Sequence, residues 1–154
     1  MVYYFYMKAI LQRVTSSKVT TQGKIIGEIG IGLNILLGVE DRDDESIIQK
    51  FTEKIVNLRV FADDEGKMNK SLLDVKGEVL LVSQFTLIAD CKKGRRPSFM
   101  HAASAELGRD LYEKVVEAIH EFGIKVSTGE FGEYMVVDIQ NDGPVTIILD
   151  SDSI

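Results

Sequence analysis

Apolar and polar positions change period several times along the chain, and each change marks an element. Residues 8–15 (Lys-Ala-Ile-Leu-Gln-Arg-Val-Thr), 17–22 and 24–29 read as strands. Gln22-Gly23 between the last two is a hairpin turn, because glycine accepts positive φ. Gly30 and Gly32 interrupt the pattern before Leu33–Val39, an apolar run of the kind found in strands covered on both faces. Ile47, Ile48, Phe51, Ile55 and Leu58 then recur at three- and four-residue spacing, one stripe of a helix over about 44–58. That helix opens on Asp43-Asp44-Glu45, where the helix dipole favours acid. Val60-Phe61 begins a short strand, residues 63–66 form a turn, and Glu78–Leu87 reads as a central strand. Leu107, Leu111, Val115, Ile119 and Phe122 make the buried stripe of a second helix over about 99–122, with Gly123 as its stop. Residues 124–128, 134–140 and 145–150 read as closing strands.

This order predicts an α+β fold, a small β-barrel or antiparallel-rich sheet flanked by two helices, not an alternating βαβ chain. No glycine-rich loop follows a strand, which argues against a dinucleotide or nucleoside-triphosphate site.

A length of 154 residues suits one domain, and a 45% apolar share suffices for one core. No apolar run approaches the roughly 18 residues of a membrane span. Met1-Val2-Tyr3-Tyr4-Phe5-Tyr6 is aromatic, but it lacks the basic start and small-residue cleavage site of a signal peptide. Cys91 is the single cysteine, so an intrachain disulfide and a cysteine metal site are excluded and a reduced, cytoplasmic setting is expected. A net charge of −6 argues against a broad nucleic-acid face. Lys92, Lys93, Arg95 and Arg96 nevertheless crowd into five positions before Pro97, either as a solvated loop or as a local anion site.

Candidate chemistry is sparse. His101 and His120 sit near the two ends of the second predicted helix and suit surface or capping roles. No His/Glu pair has metal-ligand spacing and nothing marks a Ser/His/Asp triad, so neither metal nor other cofactor is expected. Cys91 has lysine neighbours but no evident histidine partner. Gly129, Phe131, Gly132 and Met135 suit a bulged turn between strands. Two segments stand out. Ser83-Gln84-Phe85-Thr86 ends the most apolar strand, and strand alternation puts Ser83 and Phe85 on one face and Gln84 and Thr86 on the other. Asn141-Asp142-Gly143-Pro144 is the strongest punctuation in the chain, and a glycine before the proline lowers the steric cost of a cis bond.

Ser83-Gln84-Phe85-Thr86-Leu87 resembles the Ser-Gln-Phe-Thr-Leu signature of the D-aminoacyl-tRNA deacylases. Asn141-Asp142-Gly143-Pro144-Val145-Thr146 is similar to that family's Asn-x-Gly-Pro-Val-Thr, and Lys93 to Phe99 to its Lys-Gly-x-Arg-Pro-Ser-Phe loop. The family start falls at Met7, so the resemblance spans a single domain over residues 7–150, with 1–6 as an extension and 151–154 as a tail. Glu133 departs from the family pattern, which leads to a small residue there.

The resemblance implies a homodimeric hydrolase that cleaves the ester of D-aminoacyl-tRNA; glycyl-tRNA, with no side chain to clash, is expected to be cleaved to some degree as well. It implies a cis Gly143–Pro144 pair that enters the partner's pocket and, with Asn141, selects chirality through main-chain atoms. It implies that Ser83, Gln84, Phe85 and Thr86 surround the reacting ester. Lys92, Lys93, Arg95 and Arg96, dense on an otherwise acidic chain, are expected to meet the tRNA acceptor end. Backbone N–H groups near Phe85 and Thr86 would hold the oxyanion. The nucleophile is either Thr86 or, favoured for want of a side-chain base, a water helped by the terminal 2′-OH. A small-substrate esterase or amidase, and a tRNA-end binder without activity, are the competing functions.

Overall fold

The computed structural model describes residues 7–154, so the aromatic segment 1–6 lies outside the described residues. Its elements are β1 (Lys8–Thr21), β2 (Lys24–Ile29), β3 (Gly32–Gly38), a 3-10 turn (Glu45–Ile47) running into α1 (Ile48–Asn57), β4 (Phe61–Ala62), β5 (Met68–Lys70), β6 (Glu78–Ser83), a second 3-10 turn (Phe85–Ile88), α2 (Ala105–His120), β7 (Val126–Thr128) and β8 (Val136–Asp150).

The long strand β1 organises the sheet. One edge of β1 pairs with β8, and the other pairs with β3 opposite residues 8–14 and with β2 opposite residues 17–21, all antiparallel. The two predicted strands over 8–22 are therefore one strand. Its burial alternates almost throughout, and the pieces are separated only by a change of partner. The turn to β2 falls at Gln22 (φ 49) and Gly23 (φ 75), as the sequence predicts.

Beyond β1 the sheet is mixed. β3 pairs with β6 and β6 with β7, both in parallel, because α1 and α2 serve as the two crossovers. The ends lean together: Lys125 Nζ and Ser127 Oγ of the β7 segment both donate to Glu28 O of β2, nearly closing a barrel.

Both helices pack on one face of the sheet. Phe51, Ile55, Leu111, Val115 and Ile119 meet Leu11, Leu33, Ile35, Leu37 and Leu81 in one core. Burial of each such side chain stabilises by roughly 1.5–3 kcal/mol. A smaller core of Val14, Val19, Ile29, Leu80 and Val82 fills the opposite face.

Three boundaries differ from the sequence reading. The second helix starts at Ala105, not near 99, because Ser104 caps it by accepting from Leu107 N (3.2 Å), and Phe122 stays exposed beyond its end. The first predicted helix divides into a 3-10 turn capped by Asp44 and the α-helix proper. The predicted tail is a 3-10 turn, Ser151–Ser153, whose buried Ser151 donates through its N–H to Met7 O (2.9 Å).

Candidate active site

β6 delivers Ser83 as its last residue, one strand away from Leu37 of β3. Gln84 N still donates to Leu37 O (2.8 Å), but the backbone then turns at Gln84 (φ −142, ψ 79) into the 3-10 turn Phe85–Ile88. Gly38 makes room for that turn, since a Cβ there would lie 3.0 Å from Leu87 Cβ and 3.1 Å from Gln84 O. The strand thus stops four residues earlier than the apolar run suggests, and the expected alternation of faces fails. Instead Ser83, Gln84 and Phe85 line one cavity of about 300 Å³ together with Phe131, Gly132 and Glu133. Ser83 and Phe85 also line a second, of about 220 Å³, with Val39, Gly108 and Phe131. Thr86 is exposed one residue further on, lines neither cavity, and accepts a hydrogen bond from the Gln84 side-chain amide. The N–H groups of Phe85 and Thr86 open the turn, where helix geometry supplies no acceptor from within the helix.

Phe131 was visible in the sequence only as part of a glycine/aromatic cluster. Here it is the shared wall of both cavities, with Tyr112 at 5.9 Å between ring centroids and the Arg109 guanidinium 4.9 Å from its own. Tyr112 is buried and donates to Leu81 O (2.7 Å), and burial pushes its phenol pKa upward. The phenol therefore stays protonated as a structural tie between α2 and β6.

The basic loop is a closed excursion. Asp90 and Ser98 exchange backbone hydrogen bonds at 2.8 Å, and Lys92, Lys93, Arg95 and Arg96 stand exposed between them. None of the four is ion-paired among the described residues. Phe99 just past the loop meets Phe85 edge-to-face at 5.1 Å, which ties the loop to the cavity rim.

Gly143 and Pro144 are elsewhere. β8 is one strand where the sequence reading had two, but Gln12 pairs with Thr146 and Val14 with Asn141. Two steps along β1 thus oppose five along β8, and residues 142–145 bulge out of the ladder. The Gly143–Pro144 bond is cis and Gly143 has φ +124. Arg13, which the sequence reading passed over, holds the bulge: its Nε donates to Asp142 O (3.1 Å) and pairs with Asp142 Oδ2 (3.3 Å), and its Nη1 donates to Val60 O (2.8 Å). An arginine inside a strand gives no periodic signal, and its partners lie far away in sequence.

Within one chain the two signature segments are apart. Ser83 shares a rung with Leu37, Ala9 and Leu149, whereas Gly143 bulges out between the rungs of Gln12 and Val14, roughly 10–17 Å along β1 from Ala9 at about 3.3 Å per residue. Neither Asn141, Gly143 nor Pro144 lines the cavities at Ser83. A larger cleft of about 600 Å³ between α1 and α2, lined by Glu45, Ile48, Thr52, Glu53, Lys114 and Phe122 among others, contains none of the motifs.

The D-Tyr-tRNA(Tyr) deacylase family model matches residues 10–150, nearly the whole described chain. The chain belongs to this family. Among its relatives, the D-aminoacyl-tRNA deacylase of Natranaerobius thermophilus is 57% identical over 146 residues, covering 94% of this chain and 97% of that protein. The D-aminoacyl-tRNA deacylase of Clostridium kluyveri is 55% identical over 148 residues, 96% and 99% of the two chains. A solved structure of the c-Myc DNA Unwinding Element Binding Protein aligns with TM-score 0.86 at 42% identity, over 92% of this chain and 97% of that one. That of a probable eukaryotic D-amino acid tRNA deacylase, at 17% identity and TM-score 0.81, covers 94% and 99% and shares the fold. The deacylase family's motifs thus sit, in this chain, on the end of β6, the basic loop and the β8 bulge.

Proposed function

We propose that the two signature segments of this deacylase act together across a homodimer, the Gly143–Pro144 bulge of one subunit closing the cavity at Ser83, Gln84 and Phe85 of the other. The chain hydrolyses the ester of D-aminoacyl-tRNA, releasing the free D-amino acid and tRNA, a proofreading step in translation. What supports the shared site is the distance along β8: the bulge stands exposed and away from its own cavity. Sedimentation at micromolar concentration is expected to show a dimer, and a clean monomer that retains full activity would reject the arrangement.

The aminoacyl ester is already activated, so modest help suffices. Water adds to the ester carbonyl, the N–H groups of Phe85 and Thr86 take the oxyanion, and the tRNA 3′-oxygen leaves with a proton passed through the neighbouring 2′-OH. Such donors are worth roughly 3–4 kcal/mol of barrier where they are well aimed. Thr86 is ill-suited as the nucleophile, because its side-chain partner, the Gln84 amide, is no base. Single-turnover cleavage of D-tyrosyl-tRNA by Thr86→Ala is expected within about tenfold of wild type, whereas losing a nucleophile costs several thousandfold or more. An acyl adduct on Thr86 would overturn the water mechanism. A free D-tyrosine ester run alongside should be a far poorer substrate than the tRNA.

Main-chain carbonyls of Gly143 and Pro144, with Asn141 at the base of the bulge, read chirality. An L side chain would meet them, a D side chain leaves outward, and glycine has nothing to clash. Glycyl-tRNA is therefore a further substrate on this reading.

Lys92, Lys93, Arg95 and Arg96 bind the acceptor end, which their exposure beside Phe85 and Phe99 supports. Neutralising all four is expected to weaken tRNA binding and reduce the slope of log affinity against log salt, by roughly 0.7–0.9 per lost phosphate contact. An unchanged slope would make the loop a solvated surface. No described helix is long and apolar enough to cross a membrane, and the exposed free thiol of Cys91 suits a reducing, cytoplasmic location.

A further inference from the structure

Substrates of a deacylase differ in the D-side chain, and the cavities at Ser83 and Phe85 are lined almost wholly by neutral groups. Among the described residues, Glu133 is the one charged residue lining either cavity. Its backbone is fixed by a tight turn, in which Glu133 N donates to Glu130 O (3.2 Å) and Gly132 takes φ +80. Its side chain is exposed and has no ion-pair partner among the described residues. Arg109, whose guanidinium lies over Phe131, is not within ion-pair distance of it. Within one chain an unneutralised carboxylate therefore stands on the rim of the cavity proposed to take the aminoacyl group.

We infer that Glu133 sets a charge preference in this enzyme, favouring neutral and cationic D-aminoacyl groups over acidic ones. The inference rests on the cavity at Ser83, Gln84 and Phe85 being the aminoacyl site. Every substrate carries the same α-amino group and the same tRNA phosphates, so the action of Glu133 on those is common to all. Only the side-chain charge changes from one substrate to the next. A ratio of rates on one tRNA body thus isolates the side-chain effect. Two unit charges about 7 Å apart, with solvent between them, shift such a ratio roughly threefold. Glu133 carries its charge at the rim and touches no other element of the described chain by an ion pair, so its replacement leaves the fold intact.

The test charges one tRNA body with D-Asp, D-Asn, D-Lys or D-Gln and measures kcat/KM, each value divided by the spontaneous hydrolysis rate of the same ester. Wild type is expected to prefer D-Asn to D-Asp roughly threefold and D-Lys to D-Gln by a similar factor, both shrinking as salt is raised. E133Q should remove both preferences, and E133K should reverse them, a swing of about tenfold between wild type and E133K. Ratios unmoved in E133Q and E133K with D-Asn cleavage intact would overturn the inference alone. An equal loss on all four substrates would also overturn it, making Glu133 a general part of the site or of its packing. Phe85→Ala separates the underlying reading: if it leaves D-Asn cleavage untouched, the aminoacyl group lies elsewhere, and the site and the inference fall together.

Discussion

Replacing Gly143 by alanine is expected to lower kcat/KM for D-tyrosyl-tRNA by about a hundredfold or more, the order of effect that a misplacement of 1 Å at a reacting group produces. Gly143 has φ +124, a conformation that L side chains rarely adopt. A Cβ built there would lie 3.1 Å from Val145 N and 3.0 Å from Arg13 Nη2. The arginine end can swing aside, but the backbone nitrogen of the next residue but one cannot. The bulge must then move, and the main-chain carbonyls that are proposed to meet the substrate move with it. Residues 141–144 lie outside both hydrophobic cores, so the kinetic loss should exceed what the strain costs in thermal stability. The measurement is single-turnover cleavage of D-tyrosyl-, L-tyrosyl- and glycyl-tRNA. Wild type should cleave the first readily, glycyl-tRNA to some degree and L-tyrosyl-tRNA least. The variant should lose both rate and discrimination. Full activity with unchanged discrimination would remove the bulge from the site.

Arg13→Leu should have the next largest effect, a loss of about thirtyfold in kcat/KM on the same reasoning about placement. Arg13 touches no cavity at Ser83 and is a positioning residue: one guanidinium spans Asp142 on the bulge and Val60 O before β4, with a side chain only 13% exposed. Leucine keeps the volume but leaves Val60 O and Asp142 O without their donor, at roughly 1–3 kcal/mol where these groups are shielded from water. Lysine should not restore activity, because a single ammonium cannot reach both carbonyls in the planar fork that arginine provides. A purely structural role would lower the melting temperature and leave the kinetics of the folded enzyme alone. A positioning role predicts instead that Arg13→Leu and Gly143→Ala are not additive, since either change already releases the bulge. Additive losses in the double variant would mean that Arg13 acts other than through the bulge, and unchanged kinetics with a lowered melting temperature would assign it to stability only.

The strong periodic elements and the family were open to reading in the chain itself. Phe51, Ile55, Leu111, Val115 and Ile119 recur at helical spacing because one face of each helix must meet the sheet, and that constraint is local enough to survive in a one-dimensional pattern. The motif strings at 83–87, 93–99 and 141–146 are likewise contiguous, so membership of the deacylase family needed no coordinates. The faces and partners of those motifs did need them. Ser83-Gln84-Phe85-Thr86 looks like a strand by composition. It becomes a turn because the chain bends at Gln84 beside Gly38, which is far away in sequence. The strand pairs at 8–22 and 134–150 merge because β1 exchanges β3 for β2 along one edge while β8 follows the other. Arg13 and Phe131 show the same limit, since each matters through neighbours that only folding supplies: Asp142 and Val60 for one, Tyr112 and Arg109 for the other.

By itself, then, the sequence determined which segments are helical, which are apolar strands and which short strings carry the family signatures, because those properties depend on neighbours a few positions apart. Tertiary structure alone decided that the Gly143–Pro144 bulge stands several rungs from the cavity at Ser83, that Arg13 holds it there, and that Glu133 is the one charge among the described residues on the cavity rim. Those facts are distances between residues remote in the chain. They are set by the register of β1 against β8 and by the crossovers through α1 and α2, which no local pattern encodes.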